Sequence, residues 1–310
     1  MKLIEKLRAN LPVLLYGLTP PRLSKTPQEA ELIAQRQLSR LEGLNFDGLV
    51  VYDLQDESDR AQDRPFEFSG CYAPERYYKE FLKARYEAVL YKAVSHLSHE
   101  ELAEFLHTTS ANPLVFVGAA SSKTRTLTSL SQAYETKKAL KKNGCLGGIA
   151  ISERHSTKLD EDHRVAKKIL GGCEFFVTQA VFDAVKTKKF LDDYAMLSIK
   201  KVPIIFTFTP IGSFKSLEFI KWLGVSIPKF VEEQIFGDGE DRALERSARF
   251  CTDVFKFLRA YADAKGIVVG ANIESISTKK SEIECSLELL KNFAPLVYKG
   301  FEKSYVEYCI

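Results

Sequence analysis

Eight short apolar runs recur along the chain, each followed by a longer stretch of helical period, and this serial alternation limits the fold more than any other feature. The runs span residues 13–18, 48–53, 88–95, 114–118, 147–151, 175–179, 203–208 and 267–272. They are continuous, not alternating apolar with polar, as parallel strands buried on both faces require. Eight strand–helix units in series predict a closed (β/α)8 TIM barrel. The expectation is one domain over residues 1–310, with an N-terminal extension over about 1–11 and a tail over about 294–310. Such a barrel takes roughly 250 residues, so a chain of 310 leaves room for long loops. A doubly wound open sheet needs fewer strands and usually a Gly-rich first turn, which is missing here.

Helix signals fall between the runs. Thr26-Pro27-Gln28-Glu29 joins a cap residue to Pro at the first helical position, and Ser98-His99-Glu100-Glu101 is a capping-box pattern. Helices are also expected over 127–143, 161–170, 216–223, an insertion around 228–236, a long segment over 242–265 and a last one over 280–293. Several stop where basic residues are followed by Gly, as at Gly144 and Gly266. Two loops are long, one over 54–73 and one opening Thr209-Pro210-Ile211-Gly212. Both leave the C-terminal ends of strands, where barrels place chemistry.

Several function classes are excluded. Lys plus Arg number 44 against 41 Asp plus Glu, a net charge of +3, so no nucleic-acid partner is expected. The apolar run over 11–18 is too short to span a bilayer and lacks a small-residue cleavage site; no membrane partner and a cytoplasmic location are expected. The cysteines, Cys71, Cys145, Cys173, Cys251, Cys285 and Cys309, form no C-x-x-C pair and read as small hydrophobes. No metal site is expected, because the histidines lack metal-ligand spacing.

The candidate site residues sit at run ends. Thr178-Gln179 closes the sixth run, and a glutamine amide can read adjacent donor and acceptor positions of a heterocycle. The plainer reading is a satisfied polar residue near a strand end. Glu153-Arg154-His155 follows the fifth run, with Lys158 and an acidic stretch beyond; together they suit proton handling and anion binding. Much of the later charge reads as solvated helix surface. Gly118-Ala119-Ala120-Ser121-Ser122-Lys123 allows close backbone approach and offers groups for a phosphate or carboxylate, without Walker spacing. His96 follows the third run and could equally cap the next helix.

In chain order these pieces resemble the methylenetetrahydrofolate reductases, from about residue 14 to about 275. The resemblance rests on Pro20-Pro21-Arg22, on Glu153 and His155, on Gly172-Cys173-Glu174-Phe175-Phe176-Val177-Thr178-Gln179 through Phe182-Asp183, on Pro203-Ile204-Ile205 leading to Pro210-Ile211, on Ile227-Pro228, and on Asn272. It implies an oxidoreductase of one-carbon metabolism that uses NAD(P)H and FAD to reduce 5,10-methylenetetrahydrofolate to 5-methyltetrahydrofolate. By the same resemblance, Gln179, with Thr178 and Asn272, would bind the folate. His96, Gly118, Ala119 and Lys168 would lie at the FAD, Lys168 near its phosphates. A homo-oligomer is left open.

The chain departs from the family pattern at defined places. The family's catalytic glutamate at the end of the first strand is Gly17, and its flavin-facing Arg-Gly-Asp turn reads Val117-Gly118-Ala119. Its Thr-Tyr-Gly after the second strand reads Val51-Tyr52-Asp53, and its arginine after Asn272 is Ile273. Protonating the folate's ring nitrogen requires an acid, so another group must serve. Asp53, Glu57, Glu153 and Glu274 are candidates by position; Glu153, beside His155, is favoured, with Asp53 in support. The alternative is a non-redox folate-binding or one-carbon-transfer accessory protein. An unrelated barrel lyase or aldolase ranks last, because no Schiff-base lysine or metal cluster is evident.

Overall fold

Eight parallel strands close on themselves in chain order in the computed structural model, which describes residues 1–55, 64–66, 68–109, 111–119, 126–140, 144–155 and 160–298. They are β1 (Leu14–Leu18), β2 (Gly48–Val51), β3 (Ala88–Ala93), β4 (Leu114–Val117), β5 (Leu146–Ala150), β6 (Phe175–Ala180), β7 (Ile204–Phe208) and β8 (Val269–Glu274). The last strand pairs with the first, setting Gly17 beside Glu274. The (β/α)8 barrel expected from the continuous apolar runs is therefore the fold. Strand residues are buried almost throughout; the half-buried ones are Val117, Ile149, Gln179 and Glu274, and all four line one cavity at the C-terminal mouth.

The strand interior is packed from below. Val13, Leu15, Val50, Val89, Val115, Phe175, Val177 and Ile205 form a cluster with Leu3 and Leu7. Those two leucines come from α1 (Leu3–Arg8), so the N-terminal extension plugs the bottom of the barrel. Gly147 permits this packing, since a Cβ there would come within 2.4 Å of the Phe175 ring.

The outer helices are α2 (Pro27–Leu41), α3 (Pro74–Tyr77), α4 (His99–Thr108), α5 (Leu130–Ala139), α6 (Glu161–Leu170), α7 (Ala184–Met196), α8 (Phe214–Trp222), α9 (Lys229–Phe236), α10 (Ala243–Asp263) and α11 (Lys280–Tyr298). Both sequence caps form: Thr26 accepts from the Glu29 amide and Ser98 from the Glu101 amide, each with the reciprocal glutamate bond. No helix of the described residues is long and apolar enough to cross a membrane.

Four local differences from the expected pattern have physical causes. The helix expected from 127 starts at Leu130, because Ser129 caps it and pairs with Gln132. The short α3, continued by a π-helical turn over Tyr78–Leu82, was not anticipated within what reads as the approach to β3. The last helix runs past 293 to Tyr298 despite Pro295. Tertiary contacts hold that end: Arg259 donates to the Val297 carbonyl at 2.9 Å, Tyr298 donates to Asp47 at 2.9 Å, and Phe293 stacks on Phe255. The eighth strand lies at Val269–Glu274 rather than 267–272, which brings Glu274 onto the strand itself. Glu57, Ser121, Ser122, Lys123, Lys158 and Cys309 lie outside the described residues.

Candidate functional site

The strand C-terminal ends surround a cavity of about 1450 Å³. That is larger than the roughly 300–1,000 Å³ usual for one small-molecule site. Gly17, Tyr52, Thr178, Gln179, Thr207 and Glu274 face it from four strands and one strand exit.

One corner carries an acid. A Cβ on Gly17 would come within 2.9 Å of the Tyr52 ring and 3.0 Å of the Glu274 Cβ. The space beside position 17 is thus filled by a phenol and a carboxyl from neighbouring strands. The Tyr52 hydroxyl donates to Glu274, and Asn272 Nδ2 donates to Tyr52 at 2.8 Å and to Thr207 at 3.2 Å. Asn272 and Glu274 point inward in successive layers, since alternate strand residues share a face. Burial pushes the Glu274 carboxyl up to about 7, against the opposing pull of its hydrogen bonds with Tyr52 and Asn272. Burial, reinforced by the charge of Glu274, also holds the Tyr52 phenol well above its ordinary value.

Across the mouth, Gln179 presents its amide to the cavity without a hydrogen bond to any described residue. Thr178 is committed elsewhere: its hydroxyl donates to the Gln179 carbonyl at 2.7 Å and accepts from the Thr207 amide at 3.0 Å. The β5–β6 flank is cationic. Arg154, Arg164, Lys167 and Lys168 line it, and Lys168 Nζ donates to the Ile149 carbonyl at 2.5 Å. Burial lowers the Lys168 pKa, partly offset by nearby Glu161. Gly118 and Ala119 line the β4 side. Asp53 also lines the cavity, where its carboxyl accepts the Ala93 amide at 2.8 Å; burial raises its pKa, against that bond and Lys92.

Four expected site residues do not line the cavity. Glu153 is buried in the wall, where one oxygen accepts the amides of Phe182 at 3.0 Å and Asp183 at 3.2 Å. It therefore bridges the β5 exit to the β6 exit instead of meeting a ligand. Burial pushes it up to about 7, despite those amides. His155 is buried between helices, 2.7 Å from Asp193 and 3.5 Å from Asp162. Asn272 sits one layer below the cavity, orienting Tyr52 and Thr207. His96 is exposed at a turn before α4.

Two features were missed in the sequence. Tyr52 was legible only as part of an altered motif, with nothing to show that it would meet the last strand. An aromatic rim also escaped notice: Phe66 meets Phe219 edge-on at 5.1 Å, and Arg64 lies 4.9 Å over the Trp222 ring. Its members come from the loop after β2 and from α8, so no local pattern joins them.

A family model described as methylenetetrahydrofolate reductase matches residues 150–268. A protein of solved structure from Clostridium thermocellum, described as binding two copies of 5-methyl-5,6,7,8-tetrahydrofolic acid, is 36% identical with a TM-score of 0.81. That match covers 94% of this chain and 98% of the other. The chain belongs to the methylenetetrahydrofolate reductase family. An archaeal fructose 1,6-bisphosphate aldolase is far less similar, at 12% identity and a TM-score of 0.48 over 96% of this chain and 100% of that one. No curated protein matches. In this chain Gly17 leaves room on β1 for Tyr52 and Glu274.

Proposed function

We propose that this protein binds a reduced folate in the barrel mouth and catalyses its NAD(P)H-dependent conversion from 5,10-methylenetetrahydrofolate to 5-methyltetrahydrofolate. The observation that carries the reading is the unpaired Gln179 amide, turned into the mouth of a barrel of this family. An amide offers one donor and one acceptor side by side, the pattern a pterin edge requires, and leaving it unmatched in a filled site is unfavourable. The Clostridium protein's two bound methyltetrahydrofolate molecules support the ligand class, and Arg22, Lys25 and Arg40 at the rim suit a carboxylate tail.

The cavity also has the volume and cationic flank for FAD. Arg154, Arg164 and Lys168 would hold its diphosphate, and bound flavin would supply two-electron transfer between nicotinamide and folate. The chain's own residues bind the pterin edge through Gln179, keep Thr178 fixed against β7, and hold an ionisable carboxyl at Glu274.

A second reading, folate binding or one-carbon transfer without redox chemistry, is favoured by one observation. Gly118 and Ala119, the described residues that follow β4, bring no carboxylate to the cavity and so would offer a bound flavin no charged partner. A visible spectrum of the purified protein and an assay of NAD(P)H oxidation with methylenetetrahydrofolate separate the two. Folate-dependent turnover supports the reductase; calorimetric folate binding with no NAD(P)H consumption replaces it with the binding protein.

A further inference from the structure

The geometry points to Glu274 as the proton donor to the folate, with Tyr52 and Asn272 as its positioning residues, in place of a carboxyl on the first strand. The inference rests on the folate reading above and adds the identity and route of the proton.

Three observations carry it. Gly17 and Glu274 are partners in the β1–β8 register, so a carboxyl on the last strand reaches the space beside position 17. A side chain on residue 17 is excluded by the same two groups, since its Cβ would fall 2.9 Å from the Tyr52 ring and 3.0 Å from Glu274. Finally, Glu274 is half-buried and lines the cavity, whereas Glu153 does not. The Tyr52 hydroxyl, itself held by Asn272, donates to one carboxyl oxygen of Glu274 and fixes its direction.

Glu274 gives its carboxyl proton to N10 of methylenetetrahydrofolate as the bond from N10 to the bridging carbon breaks, its electron pair remaining on N10. The bridging carbon is left doubly bonded to N5 as an iminium cation. A hydride originating from reduced nicotinamide adds to that carbon, giving the N5-methyl group and oxidised nicotinamide. Glu274, now a carboxylate, regains a proton from solvent. With its pKa near 7, the carboxyl is available as a donor at neutral pH and lost above it.

Other groups around Glu274 leave the titration to it. Tyr52 and Tyr91 face it from the exit of β2 and from β3, and Tyr16 on β1, whose hydroxyl pairs with Ser286 of α11, feels its charge; burial raises all three phenols, so they remain neutral between pH 5 and 9. Arg40 from α2 and Lys279 from the turn after β8 line the same cavity without an ion pair to it.

The test uses the full chain with whatever cofactor it carries. NAD(P)H oxidation with methylenetetrahydrofolate is followed from pH 5 to 9, and 5-methyltetrahydrofolate binding is measured by calorimetry. Glu274→Gln should bind folate within about threefold of wild type yet lose about 10²–10⁴-fold in kcat, with no decline toward alkaline pH in what remains. Tyr52→Phe, which removes a bond that stabilises the carboxylate, should move the alkaline decline to higher pH. Glu274→Asp should recover part of the lost rate, and it decides the matter through its own pH profile should the Gln variant not fold. An unchanged kcat and pH profile in Glu274→Gln, with folate binding intact, overturns the assignment and leaves the folate reading standing. Wild-type protein that binds no folate overturns that reading instead. Wild-type protein that binds folate without turnover removes the reductase and its proton donor together.

Discussion

Glu153 and Glu274 are two carboxyl groups pushed up by burial to about 7, one at the exit of β5 and one at the end of β8. Glu153 spends its oxygen on two backbone amides inside the wall, while Glu274 meets a phenol at the edge of an open cavity. The shift is the same because desolvation dominates both. Their uses differ because a proton donor needs access to substrate as well as a suitable pKa. A raised pKa therefore marks burial first; geometry separates a strut from an acid.

The largest expected contrast is kinetic. Glu274→Gln should lower kcat by about 10²-fold or more, about 2.7 kcal/mol in barrier height, while urea titration should place its stability close to wild type. If instead it unfolds the protein and Glu153→Gln abolishes turnover of folded enzyme, the two roles are reversed. The next contrast is in stability. Glu153→Ala strands the amides of Phe182 and Asp183 without an acceptor and should cost about 2–4 kcal/mol in urea unfolding. The surviving folded fraction should still bind folate.

A smaller effect separates recognition from both carboxyls. Gln179→Ala should weaken 5-methyltetrahydrofolate binding by about 1–3 kcal/mol in calorimetry, leaving unfolding unchanged; full affinity would remove the pterin contact. The smallest signal is the pH dependence of stability. Both carboxyls have folded values near 7, raised from 4.5, so the folded state binds more protons than the unfolded chain between those values. Each contribution is complete below about pH 4.5 and is lost as pH rises through 7, with a slope of at most about 1.4 kcal/mol per pH unit per group. Glu153→Gln and Glu274→Gln should each flatten part of that decline; a slope of opposite sign would contradict the burial of both groups.

The fold was legible because each buried parallel strand leaves its own local trace, a continuous apolar run bounded by turn residues. The caps at Thr26 and Ser98 were legible for the same reason, being patterns within four residues. Gln179 could be read as a mouth residue because it ends such a run. Placement among nearby polar groups could not be read this way. Glu153 and Gln179 both follow apolar runs, yet the turn over Ser152–Arg154 folds Glu153 back into the wall. The end of β8 was set too early for a related reason: polar Asn272 interrupts the apolar pattern although the backbone continues the strand to Glu274. Ring and guanidinium contacts such as Arg64 over Trp222 join distant loops and leave no spacing to detect.

By itself the amino-acid order determined an eight-stranded barrel, the end that opens as a cavity, the family, and the absence of a carboxyl at position 17. Only the tertiary structure decided which carboxyl takes up that corner. The reason is closure: a cylinder joins its first strand to its last, so Gly17 and Glu274, near opposite ends of the chain, become neighbours in one layer. Periodicity along a segment says which way a side chain points, but not what it will find there.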